Sequence, residues 1–161
     1  MDQLLVAILV WVSANTGYST EGIAPPRVVI VSQDVLCAKM YSPDGVATPT
    51  KETFMRCEKE GLSGVYREDD ETIYLPQSFE QSDGVLVSRL AHETFHFVQG
   101  KHGVYDRLRK GEACRGQIEL EAYRVEELWR MQHQVIPVRV VNSEQKFLMA
   151  NCKYSILTEA Q

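Results

Sequence analysis

Hydrophobic positions recur at helical spacing along several stretches of the chain. An apolar run at residues 4–12 predicts a first helix, capped by Asp2 and ended at Asn15 to Gly17. The same spacing predicts helices at residues 33–41, 83–100, 117–132 and after 142, with a further short helix at 52–59. The stretch at residues 101–116 is predicted to be irregular or only briefly helical.

Compact runs rich in β-branched residues predict the strands. Residues 27–31 form one such run, predicted to be central in a sheet, and residues 138–141 form another near the end of the chain. Residues 64–67 and 72–75 flank four consecutive acidic residues, which predicts a hairpin. Because apolar and polar residues alternate in the second hairpin strand, one of its faces is expected to be buried and the other open. Together these elements predict an α+β fold with a small mixed sheet.

Length and composition predict one globular domain over residues 1–161. The composition, with 44% hydrophobic and 24% charged residues, is that of an ordinary globular protein. A length of 161 residues is enough to bury a core but leaves no room for a second domain. Residues 1–14 could serve as a signal peptide, yet no Lys or Arg precedes the apolar run. This favours a helix of the fold, and a cytoplasmic location over a secreted or periplasmic one. The run is also too short to span a bilayer.

Charge and cysteine placement narrow the classes of function. The net charge is −5 and the basic residues are scattered, whereas nucleic-acid binding needs a concentrated basic face. The four cysteines lie far apart with no CxxC pair, which argues against a zinc knuckle or a thiol redox centre. They are expected either to form two disulfides or to remain as small, buried apolar residues.

An HExxH string at residues 92–96 is the strongest chemical signal in the chain. If Ser82 or Asp83 caps a helix that runs to Gly100, its two histidines lie about 40° apart around the axis and point the same way. A broad apolar stripe occupies the opposite side of that helix, at residues 86, 87, 90, 94, 97 and 98. Two imidazoles on one face, with a glutamate at its edge, are typical of a zinc hydrolase.

We therefore predict that His92 and His96 bind one Zn²⁺ per chain and that Glu93 is the general base. Catalytic zinc usually takes three protein ligands and leaves a position for water. The next long helix offers Glu119 and Glu121 as the third ligand. The two lie at equal angles on either side of that helix's apolar stripe, so geometry alone leaves both open.

Other polar residues near these positions have open or ordinary roles. Glu126 and Glu127 are expected to be solvated residues of an amphipathic helix. Gln99, almost one turn beyond His96, is expected either to orient a ligand or to face solvent. An oxyanion also needs a donor, and the candidates, none assigned a catalytic role, are Tyr123, Tyr105, His102 and His133.

The HExxH string and residues 119–123 together resemble the gluzincin metallopeptidases, whose pattern is HExxH followed by Glu-x-x-Ala-Asp. In that frame Glu119 matches the third zinc ligand, and Tyr123 stands where Asp is usual. The arrangement of residues 92–99, Cys114 and residues 119–124 is also similar to small bacterial zincin-like domains of unknown function. The resemblance implies a minimal zincin-like domain, with an HExxH helix and a following Glu-bearing helix.

The resemblance further implies a zinc-dependent metallopeptidase that acts on a peptide or protein. Zinc would acidify a water, Glu93 would take its proton, and residues 72–75 would be the edge strand that pairs with an extended substrate. One alternative is a catalytically silent zincin-like scaffold that holds zinc structurally or binds a partner. Another is a toxin or effector that acts on one host protein through the same site.

Overall fold

The computed structural model describes residues 1–41, 50–52, 55, 57 and 62–152. Within these ranges an α+β arrangement is present, as predicted, with six helices and three strands of described bounds. In chain order they are α1 (Asp2–Asn15), β1 (Arg27–Val31), α2 (Gln33–Tyr41), β2 (Val65–Arg67), β3 (Thr72–Pro76), α3 (Gly84–Lys101), α4 (Val104–Arg109), α5 (Arg115–Gln132) and α6 (Ser143–Ala150). The short helix predicted at residues 52–59 lies largely outside the described residues.

The three strands form one mixed sheet in the order β1-β3-β2. β1 runs parallel to β3, and β2 runs antiparallel to it, so the predicted hairpin is present. Two predictions about strand position were wrong, because β1 is not central and residues 72–75 do not form an edge. A β-branched run indicates a strand but not its place in the sheet, since that depends on pairings between distant segments.

All five residues of β3 are buried, so the prediction of one open face was also wrong. The reason is that helices cover both sides of this middle strand. Ile73 and Leu75 belong to the main core together with residues of α3. On the other face α2 covers the strand, and Lys39 Nζ lies 4.6 Å above the ring of Tyr74.

Helix α3 lies at the centre of the molecule and is buried on most of its surface. It contacts α1, α5 and the sheet, and the shared core is built from buried residues of all of these elements. Burial on several sides differs from the expected division into one core face and one open face. α1 contributes Leu5, Ile8, Leu9 and Val12 to this core.

The start of α1 differs from the prediction, whereas its end agrees with it. Asp2 is the first residue of the helix rather than its cap, and Met1 occupies the N-cap position without a side-chain hydrogen bond. At the other end the helix stops at Asn15, with Thr16 as its C-cap and Gly17 next, as expected, and the Thr16 hydroxyl donates to Val12 O at 2.8 Å. Within the described residues, no helix is long and apolar enough to cross a bilayer.

The C-terminal part of the described chain packs on α5. Residues 138–141, predicted as a strand, belong to no strand among the described residues. The backbone amides of Val140 and Val141 donate to Glu127 Oε1 instead of to a neighbouring strand. α6 then begins with a capping box between Asn142 and Gln145, which confirms one of the two caps expected there.

Two disulfides join segments that are distant in sequence. Cys37 pairs with Cys57, and Cys114 pairs with Cys152. The second bridge connects the residue before α5 to the residues just after α6. It therefore holds the start of the Glu119 helix against the C-terminal helix.

Candidate metal centre

Helix α3 presents the HExxH residues, and its N-cap is Asp83, one of the two expected caps. Asp83 accepts hydrogen bonds from the backbone amides of Val85 and Leu86 at 2.8 and 3.2 Å, which satisfies two of the first amides of the helix. The apolar stripe of α5 (Ile118, Ala122, Val125 and Trp129) is buried as predicted. α5 packs along α3 and brings one of its glutamates to the two histidines.

The structure brings His92, His96 and Glu119 together. His92 Nε2 lies 3.1 Å from His96 Nε2, and Glu119 Oε2 lies 3.2 Å from His96 Nε2 and 3.6 Å from His92 Nε2. All three side chains are buried. Among the described residues, they are the group of His, Cys, Asp and Glu side chains that could hold a metal ion.

The spacing of these atoms fits a tetrahedral ion. Donor atoms about 2.0–2.2 Å from a tetrahedral zinc lie about 3.3–3.6 Å from one another. Of the three separations, 3.6 Å lies within this range, and 3.1 and 3.2 Å lie within 0.2 Å of its lower end. Two imidazole nitrogens and one carboxylate are also a usual donor set for catalytic zinc.

The electrostatics of the group favour a positive charge at its centre. Burial disfavours the imidazolium form of His92, but contacts with Glu119 and Glu126 outweigh this and raise the pKa of His92 to about 10. Burial likewise works against ionisation of Glu119, yet His96 and His92 hold the pKa of that carboxyl well below its usual range. In both cases the charged form of a buried group is stabilised by oppositely charged neighbours.

Behind His96, a chain of hydrogen bonds leads through Gln99 to Glu121. His96 Nδ1 lies 2.9 Å from Gln99 Oε1, and Gln99 Nε2 donates to Glu121 Oε2 at 3.0 Å and to the carbonyl of Ile118 at 3.2 Å. Tyr18 also donates to Glu121 Oε2, at 3.0 Å. Gln99 therefore faces the histidine and not solvent, and Glu121 stands behind His96 rather than beside His92 and Glu119.

Behind His92 lies Glu126, which was expected to be solvated but is fully buried. That expectation was wrong because it considered the helix surface alone, without α3 packed on it. Glu126 Oε2 lies 3.3 Å from His92 Nδ1, while Arg89 and Arg130 contact the same carboxylate at 3.0 and 2.8 Å. Despite that short distance, the His92 Nδ1 geometry is not that of a hydrogen bond.

Glu93 lies at the edge of the histidine face and contacts β2. Its Oε2 accepts the backbone N–H of Tyr66 at 2.8 Å. The backbone of Gly64 approaches the Glu93 stem so closely that a Cβ at position 64 would lie 3.1 Å from Glu93 Cγ. The start of the hairpin thus holds this carboxylate in place.

The four candidate donors occupy different surroundings. His102 Nε2 lies 2.7 Å from Ser19 O, and His133 stacks on Trp129 with 4.1 Å between ring centroids, so both are engaged elsewhere. The Tyr123 ring packs against that of His92 at 4.7 Å. Tyr105 is buried, and burial together with the charge of Glu119 raises its pKa.

Sequence inspection missed the roles of three residues around the candidate site. The first is Glu126, although its place seven residues after Glu119, two turns along the same helix, puts it on nearly the same face. The second is Arg130, one turn beyond Glu126, which forms an i,i+4 ion pair with it. Tyr66 could not be found in this way, because its contact with Glu93 is made by the backbone amide.

The chain belongs to the family described as a domain of unknown function (DUF6647), whose model matches residues 1–156. No curated protein and no solved structure matches the chain.

Proposed function

We propose that this chain is a zinc-dependent metallopeptidase with a minimal zincin-like fold, in which His92, His96 and Glu119 bind one Zn²⁺. The observation that carries the proposal is the spacing of three buried donor atoms at 3.1–3.6 Å, which suits a tetrahedral ion. Two histidines and one carboxylate are a donor set found in catalytic zinc sites. Structural zinc sites usually have four protein ligands.

In the proposed mechanism the zinc ion and Glu93 would have different roles. A zinc ion in such a site supplies Lewis acidity, which brings the pKa of a water towards neutrality and polarises a carbonyl. Glu93 is the general base, and the backbone N–H of Tyr66 holds its Oε2 in place. Within the described part of the chain no partner bonds Glu93 Oε1, which leaves that oxygen to take a proton from water and return it to the leaving amine.

A peptide or protein is the proposed substrate. Residues 72–75 were expected to form the edge strand, but β3 is the middle strand of the sheet. The edge strand that contacts α3 is β2. The N–H of Tyr66 in β2 points at Glu93, so the outer side of this strand faces the proposed base. An extended peptide lying beside β2 would place its backbone next to the reacting groups.

The location of the protein is a separate proposal. The first residues favoured the cytoplasm, but two disulfides are typical of proteins that fold in an oxidising compartment. We therefore favour a secreted or periplasmic location. Alkylation of thiols before and after reduction, in cells that express the natural gene, measures whether the four cysteines are paired there.

The metal part of the proposal is tested by elemental mass spectrometry on the purified protein. We expect about one zinc per chain in the wild type, none in Glu119→Ala and about one in Glu121→Ala. Loss of zinc from Glu121→Ala alone would make Glu121 the ligand. A folded wild type that takes up no added zinc would refute the metal site.

The catalytic part is tested with Glu93→Gln on a panel of quenched fluorogenic peptides and unfolded proteins. In the metallopeptidase this variant keeps its zinc and loses hydrolysis, because the amide cannot accept the proton. If the wild type holds zinc but cleaves nothing on the panel, and Glu93→Gln behaves identically, the scaffold alternative is the better description.

A further inference from the structure

Glu126 is fully buried on α5, and a buried carboxylate needs compensating partners. Its first oxygen, Oε1, accepts from Arg130 Nη2 at 2.8 Å, and this guanidinium is itself buried. Arg130 is held further by the Ser88 hydroxyl, at 2.9 Å from its Nε, and by the carbonyl of Pro137. Arg130 therefore engages only one half of the carboxylate.

The second oxygen of Glu126 faces helix α3. Oε2 accepts from Arg89 Nη1 at 3.0 Å and lies 3.3 Å from His92 Nδ1. Oε2 thus has two neighbours on α3, the guanidinium of Arg89 and the ring nitrogen of a proposed metal ligand.

His92 Nδ1 is the matching half of this contact. It is a buried side-chain nitrogen without a hydrogen-bond partner among the residues that the structure describes, although Glu126 Oε2 is within reach of it. Buried polar atoms without partners are rare and costly in folded proteins. Tyr123, which stands where the resembling metallopeptidases have Asp, packs its ring on His92 at a centroid distance of 4.7 Å.

We infer that Glu126 is a positioning residue for the proposed metal ligand His92: its Oε2, 3.3 Å from Nδ1, would accept a hydrogen bond from that nitrogen when Nε2 binds a metal ion together with His96 and Glu119. Histidine ligands generally donate their second ring N–H to a carboxylate or carbonyl, which sets both tautomer and ring orientation. Arg130 and Arg89 hold the carboxylate in place. This inference rests on the proposed zinc site and names the residue that orients it.

The two arginines also bear on the strength of that contact. A free carboxylate behind a metal-bound imidazole draws strongly on the Nδ1 proton and raises the basicity of the ligand. Here two guanidinium groups share the negative charge of Glu126. We therefore assign the carboxylate the role of an orienting acceptor.

The first experiment measures zinc affinity by competition with a chromophoric chelator for the wild type, Glu126→Gln and Ser88→Ala. Ser88 is the matched control, because its hydroxyl touches Arg130 and Glu126 but not His92. We expect Glu126→Gln to bind zinc about 10- to 100-fold more weakly. Ser88→Ala is expected to keep nearly wild-type affinity, even where urea unfolding shows that it has lost stability.

The second experiment needs no variant and so remains decisive if Glu126→Gln does not fold. Long-range proton–nitrogen NMR on the zinc-loaded wild type reports which ring nitrogen of His92 carries the proton. We expect a slowly exchanging proton on Nδ1, shifted downfield by its hydrogen bond to the carboxylate. A His92 with rapidly exchanging or no Nδ1 proton would overturn the inference.

The remaining outcomes separate the inference from the proposed function. A wild type that binds no zinc overturns both. If the wild type binds zinc and Glu126→Gln binds it equally tightly, only the role of Glu126 is overturned. Parallel losses of affinity in Glu126→Gln and Ser88→Ala, in proportion to their lost stability, assign Glu126 a structural role and overturn the inference as well.

Discussion

Gln99 Oε1 lies 2.9 Å from His96 Nδ1, and the amide of Gln99 cannot be turned around without losing its bonds. Its nitrogen faces only acceptors, the carboxylate of Glu121 at 3.0 Å and the carbonyl of Ile118 at 3.2 Å. The oxygen of Gln99 must therefore face His96, so Nδ1 is the donor. In the neutral imidazole the lone pair is then on Nε2, the atom that faces His92 and Glu119.

Replacing Gln99 by Leu should loosen His96 and weaken zinc binding. Leucine keeps the approximate volume but leaves His96 Nδ1 and the Ile118 carbonyl without partners, at a cost of about 1–3 kcal/mol in the free energy of unfolding. We expect zinc affinity to fall about 10- to 100-fold, as measured by chelator competition. Gln117→Leu, at an exposed position of α5, is the control and should keep both properties. Wild-type zinc affinity in Gln99→Leu would contradict the assigned tautomer.

Gly64→Ala should separate catalysis from metal binding. The new Cβ would lie 3.1 Å from Glu93 Cγ and 3.3 Å from Leu75 Cδ2, so the Glu93 stem must shift. Small displacements of a catalytic group cost roughly tenfold to hundredfold in rate. We expect the hydrolytic rate to fall by this much with zinc content unchanged. Gly17→Ala, where the added methyl meets open space, is the matched control. An unchanged hydrolytic rate would mean that the contact with Gly64 does not hold Glu93 in its catalytic position.

The disulfide before α5 should matter more for zinc than the other bridge does. Cys114–Cys152 closes a separation of 38 residues and Cys37–Cys57 one of 20, which correspond to about 4 and about 3 kcal/mol in the chain-entropy model. Urea unfolding of the two double serine variants measures these losses.

The zinc affinities of the same two variants distinguish the bridges further. Cys114 is the N-cap of α5 and makes no side-chain cap hydrogen bond, so its covalent link is what anchors the start of this helix, close to Glu119. We expect weaker zinc binding without Cys114–Cys152 and unchanged binding without Cys37–Cys57. Equal effects of both replacements would show that the bridges act only through overall stability.

Gly116→Ala should detach α6 from α5. A Cβ at this position would lie 2.8 Å from Met149 O and 3.0 Å from Met149 Cα, and backbone atoms of a capped helix cannot move aside cheaply. The expected loss of stability is about 1–3 kcal/mol. Hydrogen exchange should show faster exchange across α6, with the amides of α1 as an internal reference. Protection of α6 equal to that in the wild type would show that the two helices can shift apart without cost.

Removal of the metal should lower the melting temperature. A ligand held at about 100 times its dissociation constant stabilises the folded state by about 2.7 kcal/mol, which corresponds to a shift on the order of 5–10 °C for a chain of this size. Chelation should produce this shift, and zinc but not magnesium should reverse it, because magnesium prefers oxygen ligands. Glu119→Ala serves as the control, with no response expected. A melting temperature that ignores both chelator and zinc would contradict a specific site.

The helices and the HExxH residues could be predicted because their signals are local. The apolar periodicity at residues 117–132 and the Asp83 cap are properties of one segment each, and both were confirmed. The failures concern relations between segments. β1 was expected at the centre of the sheet and lies at its edge, and Glu126 was expected in solvent and is buried. No property of a single segment reveals what will pack against it.

The sequence by itself determined that His92 and His96 share one face of a helix and that a glutamate-bearing helix follows. The helical pattern left Glu119 and Glu121 open, because the two flank the core stripe symmetrically, and the gluzincin resemblance indicated Glu119. The tertiary structure places Glu119 beside both imidazoles through the packing of α5 against α3. In the folded chain Gln99 lies behind the imidazole of His96, and Glu126 lies behind that of His92. A separation of 23 residues between His96 and Glu119 leaves such contacts to the packing of the helices, which a local pattern does not encode.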